Sequence, residues 1–267
     1  MSTLATSLRM KILLLGSGGF IGEHLGKHLS SVHQVMRVTR STDIEELFRS
    51  DQSYDFVINC VSSKPSSDSQ ISNESNFEYP FRMLRAIKSE HWIQIESYFQ
   101  LQIPLGRRDP YTLDKQRFSE FLDSNQKLQL QPLIHHLYMP HVFGEGDRTG
   151  RLISSAKSSF IRHEPFETSN GSQFLPLLHV SDAVLGISQF IEHPAKIAAC
   201  TPFWYGRQKE LLDLMALQFH DSQVHYGLLP DPVDASFSRV EFPESVEGWQ
   251  PKMKIDEFLD WIKVQSD

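Results

Sequence analysis

The stretch Lys11-Ile-Leu-Leu-Leu-Gly-Ser-Gly-Gly-Phe-Ile-Gly22 runs four apolar residues straight into four glycines. A short apolar run bounded by glycine reads as a buried strand, and helical spacing begins at Ile21. Gly16, Gly19 and Gly22 make a G-x-x-G-x-x-G pattern across that strand-to-helix junction. The first glycine permits a tight turn, the second a close approach of the backbone to a ligand, and the third close packing of helix on sheet. Free N–H groups at the helix start, together with the helix dipole, favour a pyrophosphate. Glycines alone also fit a bare turn; the strand before and the helix after are what point to a dinucleotide.

Working outward, short apolar or β-branched runs alternate with amphipathic stretches. Strands are expected at Lys11–Leu15, Gln34–Val38, Phe56–Cys60, Trp92–Ile95 and Gln131–Leu137, with helices at Ile21–Ser30, Asp43–Arg49, Phe77–Ser89 and Asp109–Asp123. Such alternation implies right-handed crossovers and an α/β fold with a doubly wound parallel sheet. The rhythm breaks after Gly144, then "LPLLHVSDAVLGISQFIE" supplies one more strand and helix. Helices are also expected at Lys209–Phe219 and Lys254–Val264. The division this suggests is a nucleotide-binding domain over residues 10–145 plus 174–197, with a smaller substrate-binding lobe over 146–173 plus 198–267. The serine-rich segment Ser62–Asn76 reads as a mobile loop near the ligand crevice, and the first nine residues as a disordered lead-in.

Composition excludes several classes. A chain of 267 residues with 40% hydrophobic and 22% charged residues is of globular type. Its net charge of −7 gives no reason to expect a nucleic-acid or membrane-surface partner. Two cysteines, Cys60 and Cys200, suit a reducing compartment, so a cytoplasmic protein is expected. His135 and His136 lie on one strand and point to opposite faces, so they make no paired metal site, and no metal is expected.

The coenzyme is suggested by Arg40, eighteen residues after Gly22. An acidic residue there would bind the ribose hydroxyls of NAD, whereas arginine pairs with the 2′-phosphate of NADP. No Asp or Glu lies between His33 and Thr42, so NADP(H) is favoured over NAD(H), with Arg37 as an alternative partner for the phosphate.

In "DPYTLDKQRFSEFL", Asp109 is a good N-cap and Pro110 a good first helical residue, which places Tyr111 and Lys115 one turn apart. A phenol ionises near pH 10 and is a poor acid–base catalyst alone; an ammonium beside it stabilises the phenolate. Phe118 and Leu122 continue that face and would bury it. Tyr205 and Lys209 repeat the spacing, but after the break in rhythm, and are expected to be structural. Upstream of Tyr111, "WIQIES" ends a strand at Ser97, whose hydroxyl can hydrogen-bond a substrate carbonyl. Arg107 and Arg108, in the loop between, are expected to be solvated.

With "GSGGFIG", "DFVINCVS", Ser97, the Tyr111/Lys115 pair, "HVFGEGD", "LLHVSDAV" and "EGWQPK" in this order, the chain resembles the extended short-chain dehydrogenase/reductase superfamily. Its nearest likeness there is to the NAD(P)-dependent epimerase/dehydratase group acting on nucleotide sugars. The resemblance implies a Rossmann domain with a small substrate lobe, and a homodimer. It implies Tyr111 as proton donor or acceptor, Ser97 polarising the oxygen, and Lys115 also holding the nicotinamide ribose. It further implies cofactor contacts from Gly16, Gly19, Phe20, Ile21, Gly22, Cys60 and Pro140, and substrate contacts from Ser62, Tyr98, His141, Arg151 and Arg239.

Dehydrating relatives carry an Asp-Glu pair just after the Ser or Thr; Tyr98 and Phe99 stand here instead. Reduction of a keto group on a nucleotide-linked 4-keto-6-deoxy sugar by NADPH is therefore the expected activity. The alternatives are an NAD-dependent nucleotide-sugar epimerase and an NADP-binding sensor or scaffold without turnover. An arginine that clamps the substrate diphosphate in many relatives is replaced by Leu175 and Pro176, so Arg148, Arg151 or Arg239 would have to serve. His141, where relatives often place asparagine, also reads as a packed or hydrogen-bonded loop residue.

Overall fold

The structure, a computed structural model, describes residues 9–49, 52–63, 68–127, 132–148, 150–220, 222–231 and 237–264. Most of the expected lead-in, and residues 64–67 of the serine-rich segment, lie outside the described residues. The first half of the chain carries β1 (Lys11–Leu15), α1 (Phe20–Leu29), β2 (Gln34–Val38), α2 (Ile44–Arg49), β3 (Ser53–Asn59), α3 (Ser69–Asn73), α4 (Tyr79–Ala86), β4 (Lys88–Ser97) and α5 (Pro110–Lys127). The second half carries β5 (Leu133–Met139), β6 (His141–Phe143), α6 (Leu152–Ile161), β7 (Phe166–Glu167), β8 (Phe174–His179) and α7 (Val180–Glu192). After these come β9 (Ile197–Ala199), β10 (Trp204–Arg207), α8 (Gln208–Ala216), β11 (Val224–His225) and α9 (Ile255–Lys263).

Six parallel strands form the main sheet in the order β2-β1-β3-β4-β5-β9. This is the expected doubly wound, Rossmann-like arrangement. Ile12, Leu13, Leu14 and Leu15 are all fully buried because β1 is covered on both faces. Ile12 and Leu14 pack with Leu25 and Leu29 of α1 and Ile187 of α7. Leu13 and Leu15 pack with Met83 of α4 and Phe118 and Leu122 of α5. A continuous apolar run, rather than alternation, is what such a strand needs. The chain order reverses between β1 and β3, and this switch point is where open α/β sheets bind ligands.

A second sheet, ordered β10-β8-β6, and a two-stranded ribbon of β11 and β7 lie in the later part of the chain. Beneath them Phe143, Phe160, Leu177, Leu212 and Phe258 form a separate core with α6, α8 and α9.

Three expectations are corrected. The helix expected over Phe77–Ser89 stops at Ala86, and Lys88 begins β4, since that strand pairs on both sides and draws polar residues into its ladder. The serine-rich segment is not simply a loop. Asp68 accepts from the Ile71 N–H at 2.9 Å and caps α3, and a π-helical turn over Glu74–Glu78 leads into α4. The helix expected over Lys209–Phe219 ends at Ala216, with Leu217 as its C-cap.

Gly22 faces the carbonyl of Gly16 so closely that an added Cβ would stand 2.2 Å from that oxygen. Gly22→Ala is therefore expected to push α1 off the sheet and cost about 1–3 kcal/mol, read as a lower denaturant midpoint at unchanged slope.

Candidate functional site

The glycine turn is built at the switch point. Cys60 donates its N–H to the Leu15 carbonyl at 3.0 Å, which brings the end of β3 beside Gly16. Gly16 holds φ +75°, and a Cβ there would lie 2.9 Å from the Cys60 carbonyl carbon and the Val61 nitrogen. Gly19 caps α1 without a side chain, so the first turn at Phe20, Ile21 and Gly22 meets no side-chain acceptor. Side chains at 16 or 22 would fill this cradle, and the positive end of α1 opens onto it; both features fit the diphosphate of a dinucleotide.

Two arginines flank the turn. Arg37 donates to the Ser17 carbonyl at 3.1 Å and lies across Gly26 of α1. Arg40 is exposed in the turn that follows β2, where Thr39 and Thr42 close the backbone.

The residues expected to carry chemistry gather at the carboxyl end of β4. Asp109 accepts from the Thr112 N–H at 3.0 Å and starts α5, which confirms the cap. Tyr111 and Lys115 then share one face of α5, with Phe118 and Leu122 fully buried below. Lys115 is 3% exposed and donates to the Ile95 carbonyl at 2.8 Å. Its charge reaches Cys60, though the surrounding protein still pushes that thiol up to about 12. Ser97 ends β4, and its hydroxyl accepts from the Phe99 N–H at 3.3 Å. The Phe99 ring meets Tyr111 edge-on at 6.2 Å and Tyr98 at 4.3 Å.

Tyr98, expected at the substrate, is 6% exposed. Burial pushes its phenol up, and the charges acting on it come from Arg107, Arg151, Tyr205 and Tyr111. Arg151 caps α6, pairs with Asp147 at 3.0 Å and reaches the His141 ring at 3.4 Å. Burial and the Arg151 charge hold His141 well below its usual range, so a neutral ring accepts from the guanidinium. Arg239 covers the Tyr205 ring at 4.4 Å, and the Tyr205 hydroxyl bonds both the N–H and the carbonyl of Val240. Tyr205 is thus held by stacking and by backbone hydrogen bonds. Pro140 is buried between β5 and β6, and Ser62 is exposed after β3.

One expectation about the loop is overturned. Arg107 is not solvated: its guanidinium is 11% exposed, stacks 3.6 Å over Phe99 and pairs with Asp109 at 2.5 Å. The cap of α5 supplies the anion that draws it in. The serine-rich segment is tied to α5, since Ser72 donates to Asp114 on α5 at 2.7 Å.

A family described as the NAD dependent epimerase/dehydratase family matches residues 12–203. CDP-abequose synthase from Salmonella muenchen is 21% identical over 277 residues, covering 92% of this chain and 94% of that protein. UDP-2-acetamido-2,6-beta-L-arabino-hexul-4-ose reductase from Pseudomonas aeruginosa is 24% identical over 181 residues, which is 66% of this chain and 48% of that one. Among solved structures, RMD from Pseudomonas aeruginosa complexed with NADPH superposes with a TM-score of 0.76 at 16% identity, covering 96% and 97% of the two chains. At that identity the likeness is one of fold.

Asp109→Ala removes both the α5 cap and the partner of Arg107. It is expected to lower stability by about 2 kcal/mol, read from the urea midpoint.

Proposed function

Since the chain belongs to the NAD-dependent epimerase/dehydratase family and is an NAD(P)-dependent enzyme of the extended short-chain dehydrogenase/reductase type, we propose that it reduces a keto group on a nucleotide-linked 4-keto-6-deoxy sugar, with NADPH as reductant. The observation that carries this proposal is the placement of Lys115. A buried ammonium is anchored on the Ile95 carbonyl, one helical turn from Tyr111 and beside the strand end at Ser97.

A relative named as a hexul-4-ose reductase supports the keto-sugar. The NADPH-bound neighbour and the two arginines at the glycine turn support the phosphorylated coenzyme. Tyr98 and Phe99 in place of carboxylates speak against dehydration.

In this mechanism Gly16, Gly19, Phe20, Ile21 and Gly22 hold the diphosphate of the coenzyme by backbone N–H groups. Arg40, with Arg37, holds its 2′-phosphate, while Cys60, Lys115 and Pro140 border the nicotinamide half. When bound, NADPH supplies the hydride. Ser97 donates a hydrogen bond to the substrate carbonyl oxygen, and Tyr111 delivers the proton to that same oxygen. The Lys115 ammonium stabilises the phenolate left behind. Tyr98, His141, Arg151, Arg239 and Ser62 receive the nucleotide sugar, with the lobe over 146–173 plus 198–267 closing on it. The same proposal takes the enzyme to be a cytoplasmic homodimer; its two cysteines are unpaired.

NADPH oxidation with candidate keto-sugars tests the assignment. Tyr111→Phe is expected to lower turnover by about 100-fold or more while NADPH binding, followed by fluorescence, is retained; undiminished turnover would overturn the role of Tyr111. Arg40→Ala is expected to erase the preference for NADPH over NADH. Protein that retains NAD tightly and consumes no NADPH would be an epimerase instead.

A further inference from the structure

One residue before Ser97, a carboxylate is buried where the proposed chemistry assigns it no part. Glu96 faces α5 on the side of β4 opposite to Ser97, and its side chain is 0% exposed. Its Oε1 accepts from the Ser119 hydroxyl at 2.5 Å and bonds His136 Nδ1 at 2.8 Å. Its Oε2 is buried and meets no hydrogen-bond partner. Ser119 also accepts from Gln100 Nε2 at 3.2 Å, and Gln100 Oε1 accepts the Ser97 N–H at 2.8 Å. The Ser119 hydroxyl lies 2.9 Å from the carbonyl of Lys115. The carboxylate is thus bonded, through Ser119 and Gln100, to the backbone N–H of Ser97.

Stability gives no reason to keep an ion pair here. Apolar residues of similar volume hold a strand against a helix as well or better, because two buried charges must first leave water. The charged and titratable groups around the carboxylate are His136 and Tyr138 from β5 and Lys115 from α5, with Asp123 and Lys196 acting on His136 behind it. Burial pushes Glu96 up, but the hydrogen bond and charge of His136, the Lys115 ammonium and the Ser119 hydroxyl together hold it below the usual carboxylate range. Burial draws His136 down, and its bond to Glu96 more than reverses this. Glu96 is therefore ionised at neutral pH, close enough to Lys115 to feel its charge.

We propose that Glu96 is a positioning residue for the reaction: its carboxylate is the buried counter-charge of Lys115 and moderates the field that this ammonium exerts on the Tyr111 phenol. Through Ser119 and Gln100 it also fixes the amide of Ser97. The inference rests on the assignment of Tyr111 and Lys115 made above, but not on the identity of the substrate.

Removing the negative charge leaves the ammonium less opposed, which favours the phenolate. In Glu96→Gln, the ionisation midpoint of Tyr111 is expected to move down by on the order of one pH unit. It is followed by NMR of carbon-labelled tyrosine, with the signal identified by its loss in Tyr111→Phe. The alkaline limb of kcat for NADPH oxidation should move with it, because Tyr111 must carry its proton to donate it. Glu96→Asp, which keeps the charge, is expected to stay near the wild-type midpoint even where it melts earlier. A midpoint unmoved in Glu96→Gln, alongside lower melting temperatures in both variants, would mean packing alone and overturn the proposal. Should Glu96→Gln fail to fold, the paired change Glu96→Gln with His136→Gln removes the carboxylate together with its His136 partner, and its midpoint is expected to move in the same direction; an unmoved one overturns the proposal. A shifted midpoint in a protein that reduces no keto-sugar would support the role of Glu96 while refuting the substrate assignment.

Discussion

The contact between Gly22 and the carbonyl of Gly16 is the constraint on which the rest depends. With no Cβ between them, the first turn of α1 sits directly on the end of β1. That contact sets the N-terminus of α1 over the switch point of the sheet, where the strand ends of β1 and β3 part. A wider spacing would move the positive end of the helix away from the place where a diphosphate fits. Burial of β1 on both faces then holds the junction from below, since the strand cannot shift without exposing apolar surface to water.

The carboxyl edge of β4 shows how charge is kept inside such a fold. Lys115 and Glu96 are both almost wholly buried, and each is held by hydrogen bonds that survive only in the assembled sheet. Isolated, either charge would be costly; together with His136 they form a group whose members support one another. The Lys115 ammonium and the Glu96 carboxylate act on the same small region from opposite signs. The amide of Ser97 and the ammonium of Lys115 therefore both adjoin one buried cluster.

Tyr98 is buried at the end of β4, its ring 4.3 Å from that of Phe99 in the loop before α5. Arg107, Arg151 and Arg239 each rest on an aromatic ring or a carboxylate. Cations ordered in this way lose less freedom when they meet an anionic ligand than solvated ones would.

Much was legible in local sequence, because its causes are local. Apolar runs and glycine spacing gave β1 and the turn, and Asp109-Pro110 marked the start of α5. The helical period then placed Tyr111 and Lys115 on one face. Arg107, the capped helix within the serine-rich segment and the Glu96–His136 pair were not legible in this way. Glu96 and His136 are far apart in the chain and meet only because β4 pairs with β5, and Arg107 is drawn out of solvent only because Phe99 and Asp109 converge around it. The sequence by itself determined the strands and most of the helices of the main sheet and where the phosphate-seeking turn lies, since backbone freedom and hydrophobic periodicity act over a few residues. Only the tertiary structure decided which charges are buried together, because desolvation and pairing depend on neighbours that the chain brings in from a distance.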